Sequence, residues 1–389
     1  MKAHLQRFWD GQRLKFVWNK LEVLTLDGRS RPVAFSWDGR QYRRGLDGTC
    51  KEILRIAGPE RAMHDATLVS QGQSEELMRA WAVRIAPAFR IEVQDWLQWL
   101  QQDARQFRSI YQSISILPPD QYRSLVFQLT EGCAYNRCNF CQLYRDRPYR
   151  RKGSAEFADH IGKVLDYFGP ALPWRRGIFL GDANAAGLPM AQLAEALELI
   201  HKTFPYDGND RSGAGRHALE FEQVSSFQDV FTGRLRSVED WRVLRRLGLR
   251  QLHLGIESGS KVVLQLLGKP VDSARVSEIV GRLQQADIRV SLIFLLGAGG
   301  KELAQDHQRD TLKLLKGLSL CSQDRVYFSE LLVYPGSDYS ALSRDWGITP
   351  LTRWECREQS RLLREQLGFD PPPRGPALAL YDVRQFVYV

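Results

Sequence analysis

Residues 130 to 153 read TEGCAYNRCNFCQLYRDRPYRRKG, and three of the chain's six cysteines, Cys133, Cys138 and Cys141, lie within nine residues of one another there. Thiolates at such spacing serve a metal ion, an iron-sulfur cluster or a redox reaction. A disulfide framework is excluded, because it distributes paired cysteines along a short secreted chain, and this set is odd in number within 389 residues. Three thiolates can hold three irons of a [4Fe-4S] cube and leave the fourth open to a ligand, whereas a structural zinc site closes itself with four ligands. No second cysteine pair follows, and the next histidine, His160, falls inside an expected helix. The residues favour the open cluster; zinc and a redox or merely buried set of thiols stay as alternatives.

The elements around the motif decide where those thiols sit. The first 57 residues carry four Asp-Gly dipeptides, at Asp10, Asp27, Asp38 and Asp47, several of them flanked by runs such as Val33 to Trp37. Asp-Gly suits two-residue hairpin turns, so a small antiparallel sheet is expected. From Gln73 to about Ser113 the pattern turns helical, with Trp96, Leu97, Trp99 and Leu100 on one face. Leu117-Pro-Pro-Asp120 then makes a boundary. Beyond it, apolar runs at 124–130, 177–182, 218–227, 249–258, 288–297 and 325–334 alternate with helical stretches, among them Ala155 to Phe168 and one opened by the capping box Ser237-Val-Glu-Asp240. Strand-helix alternation of this kind calls for parallel strands with right-handed crossovers, in an open sheet or a full or partial barrel, and places ligands at the carboxyl ends of the strands. The cysteines follow the first such strand directly. The expected organisation is an N-terminal β-hairpin and helical module over 1–120, a βα domain over 121–345, and a C-terminal extension over 346–389 that ends in an edge strand or closing flap.

These residues resemble the radical S-adenosylmethionine (radical SAM) enzymes, whose usual signature is C-x3-C-x2-C with an aromatic residue before the last cysteine. Phe140 is that aromatic, and the first gap, Ala134-Tyr-Asn-Arg137, is one residue longer than usual. Further matches stand at successive strand ends. Gly181-Asp182 resembles the segment that receives the SAM amino group, Ser225-Ser226 the positions that meet its carboxylate, Gly255-Ile-Glu257-Ser258-Gly259 the segment near the ribose, and Gly297 closes the adenine-side segment. The resemblance runs from Ser124 to Tyr334 and implies an α/β fold, a partial (βα)6 TIM-like barrel beside the small N-terminal α+β module. It implies one [4Fe-4S] cluster on Cys133, Cys138 and Cys141, and SAM bound by Phe140, Gly181, Asp182, Ser225, Ser226, Glu257, Ser258 and Gly297. Reductive cleavage of SAM to a 5′-deoxyadenosyl radical, hydrogen abstraction from a substrate, and a low-potential electron donor of flavodoxin or ferredoxin type are implied with it. Cys50, Cys321 and Cys356 are too scattered for an auxiliary cluster, and the first 120 residues lack a cobalamin-binding pattern.

Composition leaves the substrate open. The net charge of +9 favours anionic partners, and Arg145, Arg147, Arg150, Arg151 and Lys152, interleaved with tyrosines behind the cysteines, could receive a phosphate-bearing substrate or nucleic acid. Alternatively, Arg145 and Arg147 neutralise the cluster and pair locally with Asp146. No apolar run approaches a membrane span, and the opening residues lack the apolar stretch of a secretory signal, so a cytoplasmic location is expected. Two other functions fit the same residues: an iron-sulfur binding or electron-transfer protein without SAM turnover, and a zinc-stabilised nucleic-acid-binding protein.

Overall fold

The structure, a computed structural model, describes residues 5–9, 13–56, 63–204 and 223–389. Its N-terminal part is a seven-stranded antiparallel meander in which each strand from Leu5–Trp9 to Met63–Leu68 pairs with the next. At Asp38-Gly39 both residues take positive φ, 48° and 74°, and join strands Pro32–Trp37 and Arg40–Arg44 as the expected two-residue turn. Asp27 acts differently: its carboxylate accepts from the backbone N–H of Arg29 and Arg31 and shapes a longer loop. The turn expected at Asp10-Gly11 lies outside the described residues. The helical stretch is two helices, Gln71–Phe89 and Val93–Ile110, separated at Arg90 in the left-handed conformation. Trp81, Trp96 and Leu100 are buried against the sheet's inner face.

The second sheet is parallel and contains seven strands, in spatial order running from Leu125–Gln128 through Ile178–Gly181, Val224–Gln228, Leu249–Glu257, Arg289–Leu296 and Arg325–Glu330 to Ala377–Leu380. Their order in space is their order in sequence, and helices connect them, which gives the partial barrel. The third strand begins at Val224, and the first five residues of its expected range lie outside the described ones. Helix Ser154–Phe168 ends at Gly169, and helix Val238–Arg246 opens on the Ser237–Asp240 capping box. The C-terminal residues are integrated into the barrel. Helix Arg353–Leu367 buries Cys356 and Leu363, and Ala377–Leu380 adds a seventh strand beside the sixth.

The barrel stays open between its first and seventh strands, and the chain's last residues cover the gap. The Tyr388 hydroxyl accepts from the Val126 N–H at 3.1 Å and donates to the Ser124 carbonyl at 3.0 Å, so the free edge of the first strand is occupied by a side chain. No helix among the described residues is long and apolar enough to cross a membrane.

Candidate functional site

The cysteine loop is an excursion closed at its base. Thr130–Glu131 pairs with Arg150–Arg151 in a short antiparallel ladder, and the Lys152 N–H donates to the Leu129 carbonyl at 2.9 Å. Glu131 holds the ladder together, accepting from Arg150 at 3.0 and 3.1 Å and from Lys152 Nζ at 2.5 Å. Gly132 takes a φ of 72°, and a Cβ there would lie 2.9 Å from the Pro148 carbonyl, so the excursion begins where only glycine fits. The loop is fastened to the segment after the fourth strand: Asn139 Nδ2 donates to Leu266 O, its N–H to Leu267 O, and the Tyr135 hydroxyl to Gly268 O at 2.8 Å.

That fastening sets Lys269 against the site. Its ammonium lies 2.6 Å from Glu257 Oε1, with both side chains nine-tenths buried. Glu257 itself adopts a φ of 68° at an irregularity in the strand, and a Cβ on Gly255 would come within 2.7 Å of its carboxylate and 2.9 Å of the ammonium. Gly255 therefore makes room for the pair. Cys133, Cys138 and Cys141 line one cavity together with Phe140, Glu257 and Lys269. Burial pushes the Cys138 thiol up to about 12; Lys269 opposes this, while the other two thiols and Glu257 reinforce it. Cys141 is raised chiefly by burial as well. Cys138 and Cys141, held as thiols by desolvation, need bound positive charge to become thiolates, and iron supplies it. The donor set thus fits an iron-sulfur cluster. Among the described residues, no three His, Cys, Asp or Glu side chains stand together as a site for a single ion.

The other expected site residues lie behind this cavity wall. Asp182 is buried, its carboxylate accepts from the Gly132 N–H at 3.3 Å, and its own N–H donates to Thr130 Oγ1 at 2.9 Å. Its carboxyl is pushed up to about 7 by burial, against the pull of Arg147 and the Gly132 N–H. Gly181 precedes it at the strand end. The Ser226 hydroxyl donates to Leu180 O at 2.8 Å, and that of Ser225 has no partner among the described residues. Ser258 pairs with His307 Nδ1 at 2.8 Å, and Gly297 accepts no side chain because Cys356 Sγ would lie 2.9 Å from its Cβ. Residues the sequence reading passed over line the cavity instead: Lys269, Asp229, which is hydrogen-bonded to Asn184, and His253. The signal for His253 was available, since it precedes Gly255 at the two-residue period of one strand face. The basic segment is largely paired. Arg150 meets Glu131 and Glu156, Lys152 meets Glu131, Arg145 meets Asp338 rather than Asp146, and Arg147 lies 3.6 Å from Asp146.

A family model described as the Radical SAM superfamily matches residues 127–315, the stretch that carries the thiols, the Lys269–Glu257 pair and five of the seven parallel strands. Over that stretch, just under half of its length, the chain is similar to the radical SAM superfamily. Members of that superfamily use a [4Fe-4S] cluster and SAM as cofactors. The tRNA-2-methylthio-N(6)-dimethylallyladenosine synthase of Aliivibrio fischeri strain MJ11 is 28% identical over 225 residues, which cover 54% of this chain and 42% of that protein. The corresponding synthase of Vibrio vulnificus strain YJ016 is 27% identical over the same length. The chain thus spans less than half the length of the curated relatives it matches. Among solved structures, coproporphyrinogen III oxidase (HemN) from Escherichia coli, a radical SAM enzyme, aligns with a TM-score of 0.45 at 16% identity, covering 64% of this chain and 53% of that one. The radical SAM methyltransferase TsrM from Kitasatospora setae aligns with a TM-score of 0.41 at 16% identity, covering 69% and 52%. The chain's own parallel sheet shows the partial barrel.

Proposed function

We propose that Cys133, Cys138 and Cys141 hold one [4Fe-4S] cluster, that SAM lies between it and the Lys269–Glu257 pair, and that the chain abstracts hydrogen from a substrate in the barrel. The observation that carries this reading is the shared cavity: three thiols and a buried ion pair converge at the carboxyl ends of parallel strands. When bound, the cluster and SAM supply a 5′-deoxyadenosyl radical by reductive cleavage of a carbon-sulfur bond. The chain's residues do the rest. Lys269 offers an ammonium to the SAM carboxylate, and Glu257 offers a carboxylate to its amino group or ribose hydroxyls, each charged hydrogen bond contributing about 1.5 to 3 kcal/mol. Phe140 packs into the apolar cluster around Leu266 and Leu295 and walls the cysteine loop from water. Asp182, through the Gly132 N–H, and Ser226, through Leu180, hold the strand ends from behind. Cys133, Cys138 and Cys141 are half-buried, which leaves the loop within reach of a low-potential electron donor of flavodoxin or ferredoxin type.

Anaerobic reconstitution tests the reading. It should give about four irons per chain, and dithionite should then convert SAM to 5′-deoxyadenosine and methionine. A full iron complement in the triple Cys→Ala variant, or iron loading without any 5′-deoxyadenosine, would overturn it.

A further inference from the structure

His253 shares a face of the fourth strand with Gly255 and lines the same cavity as Glu257, about 10 Å deeper, since the step between them matches three residues of the neighbouring strand, Ser291 to Phe294, at about 3.3 Å per residue. It is fully buried, and neither ring nitrogen has a hydrogen-bond partner among the described residues. The side chains beside it are rings: Phe179 at 5.9 Å and Phe227 at 6.0 Å between centroids. The charged group below it is already engaged, for Asp120 accepts from the Tyr327 hydroxyl at 2.8 Å and from Gln251 Nε2 at 2.9 Å, and lies 3.6 Å from Arg325. Ile293 and Tyr381 complete an apolar floor around the imidazole. Burial holds His253 down to about 4, so at neutral pH it carries one N–H donor and one bare nitrogen acceptor. A buried donor and acceptor left unmade are costly, and in a cavity that opens toward the cofactor site the missing partner is supplied by what enters.

We propose that His253 reads the substrate at the floor of the barrel, by hydrogen-bonding an uncharged polar group, such as a hydroxyl, an amide or a ring nitrogen, on an otherwise apolar body. The proposal rests on the reading that this cavity is the substrate site, and it names the substrate's chemical class. Among the described residues that line the cavity the only cation is Lys269, beside the thiols; behind His253, Arg325 faces Asp120 and Arg289 is bonded to Gln223. His253 is a specificity-determining residue here, and the radical chemistry does not pass through it.

Equilibrium binding of three single-ring probes to the reconstituted chain, without SAM, tests this. Phenol, toluene and benzoate differ in carrying a neutral hydroxyl, no polar group and a charge. The phenol-to-toluene affinity ratio should fall about tenfold in His253→Phe, the loss of one hydrogen bond. It should be largely kept in His253→Gln, and benzoate should bind more weakly than either. An unchanged ratio in His253→Phe overturns the proposal, since a water then completes the imidazole. So does the tightest binding by benzoate, or the failure of every probe to bind the wild-type chain. Retained toluene binding by His253→Phe shows that the variant is folded. Iron content and 5′-deoxyadenosine formation, measured on the same samples, report separately on the cluster reading.

Discussion

Lys269 and Glu257 are two buried charges that neutralise each other beside three thiols, and each is costly to leave alone. Lys269→Met should raise the Kd for SAM by about 10- to 100-fold, the worth of one charged hydrogen bond, while iron loading stays near the wild-type level. Unchanged SAM affinity would remove Lys269 from the cofactor site. Asp182 gives a pH prediction. Its carboxyl titrates near 7 in the folded chain and near 3.8 when unfolded, so between those values the folded state binds more protons. Stability of the cluster-free chain should therefore fall as pH rises from about 4 to 7, by up to about 4 kcal/mol, and Asp182→Asn should flatten that slope. Denaturant midpoints across that range measure it. At this scale the cysteines and Phe140 were legible because their spacing is local. Lys269 was not, because it reaches the thiols only through the docking of Asn139 and Tyr135 on 266–268, more than a hundred residues along the chain.

The cysteine loop and the strand ends depend on a few tight approaches. A Cβ on Gly259 would lie 2.2 Å from the Asp310 carbonyl, so Gly259→Ala must push the segment after Glu257 away from helix Ala304–Lys316. It should lower both stability and SAM affinity, read by thermal unfolding and equilibrium binding. At the other edge, Tyr388→Phe strips the buried Val126 N–H of its partner and should cost about 1 to 3 kcal/mol in denaturant unfolding without altering iron content. An unchanged midpoint would mean that the tail does not seal the barrel. Elements were legible where the chemistry is local: the Asp38-Gly39 turn, the Ser237 capping box and six of the parallel strands. The seventh strand was ambiguous, because Ala377–Leu380 is four residues long and becomes a strand only by pairing with Arg325–Glu330. The basic run after the cysteines read as a possible anion-steering surface; its acidic partners Glu131, Glu156 and Asp338 come from three different elements, and folding brings them in.

The N-terminal module and the barrel share buried charges. Arg31 is fully buried, bonds Asp27 at 2.7 Å, lies 3.7 Å from Asp103 and stacks over Tyr167, whose hydroxyl donates to Asp103 at 2.9 Å. Lys51 reaches the carbonyls of Arg384 and Phe386 at 2.8 and 2.9 Å, and Arg353 meets Asp65 at 2.9 Å. The module is thereby tied to a barrel helix and to the covering tail. Asp103→Ala leaves Arg31 with half its charge partners and should cost about 3 to 5 kcal/mol, seen as one cooperative unfolding transition at lower denaturant. Two separate transitions in the wild-type chain would show that module and barrel are independent. The central claim is that three thiolates hold a cluster whose fourth iron is free for SAM. Electron paramagnetic resonance of the dithionite-reduced, reconstituted chain, recorded before and after addition of SAM, tests it most directly. A reduced [4Fe-4S] signal whose g-values change when SAM is added is expected, and an identical signal with and without SAM would mean that no iron is free to bind it.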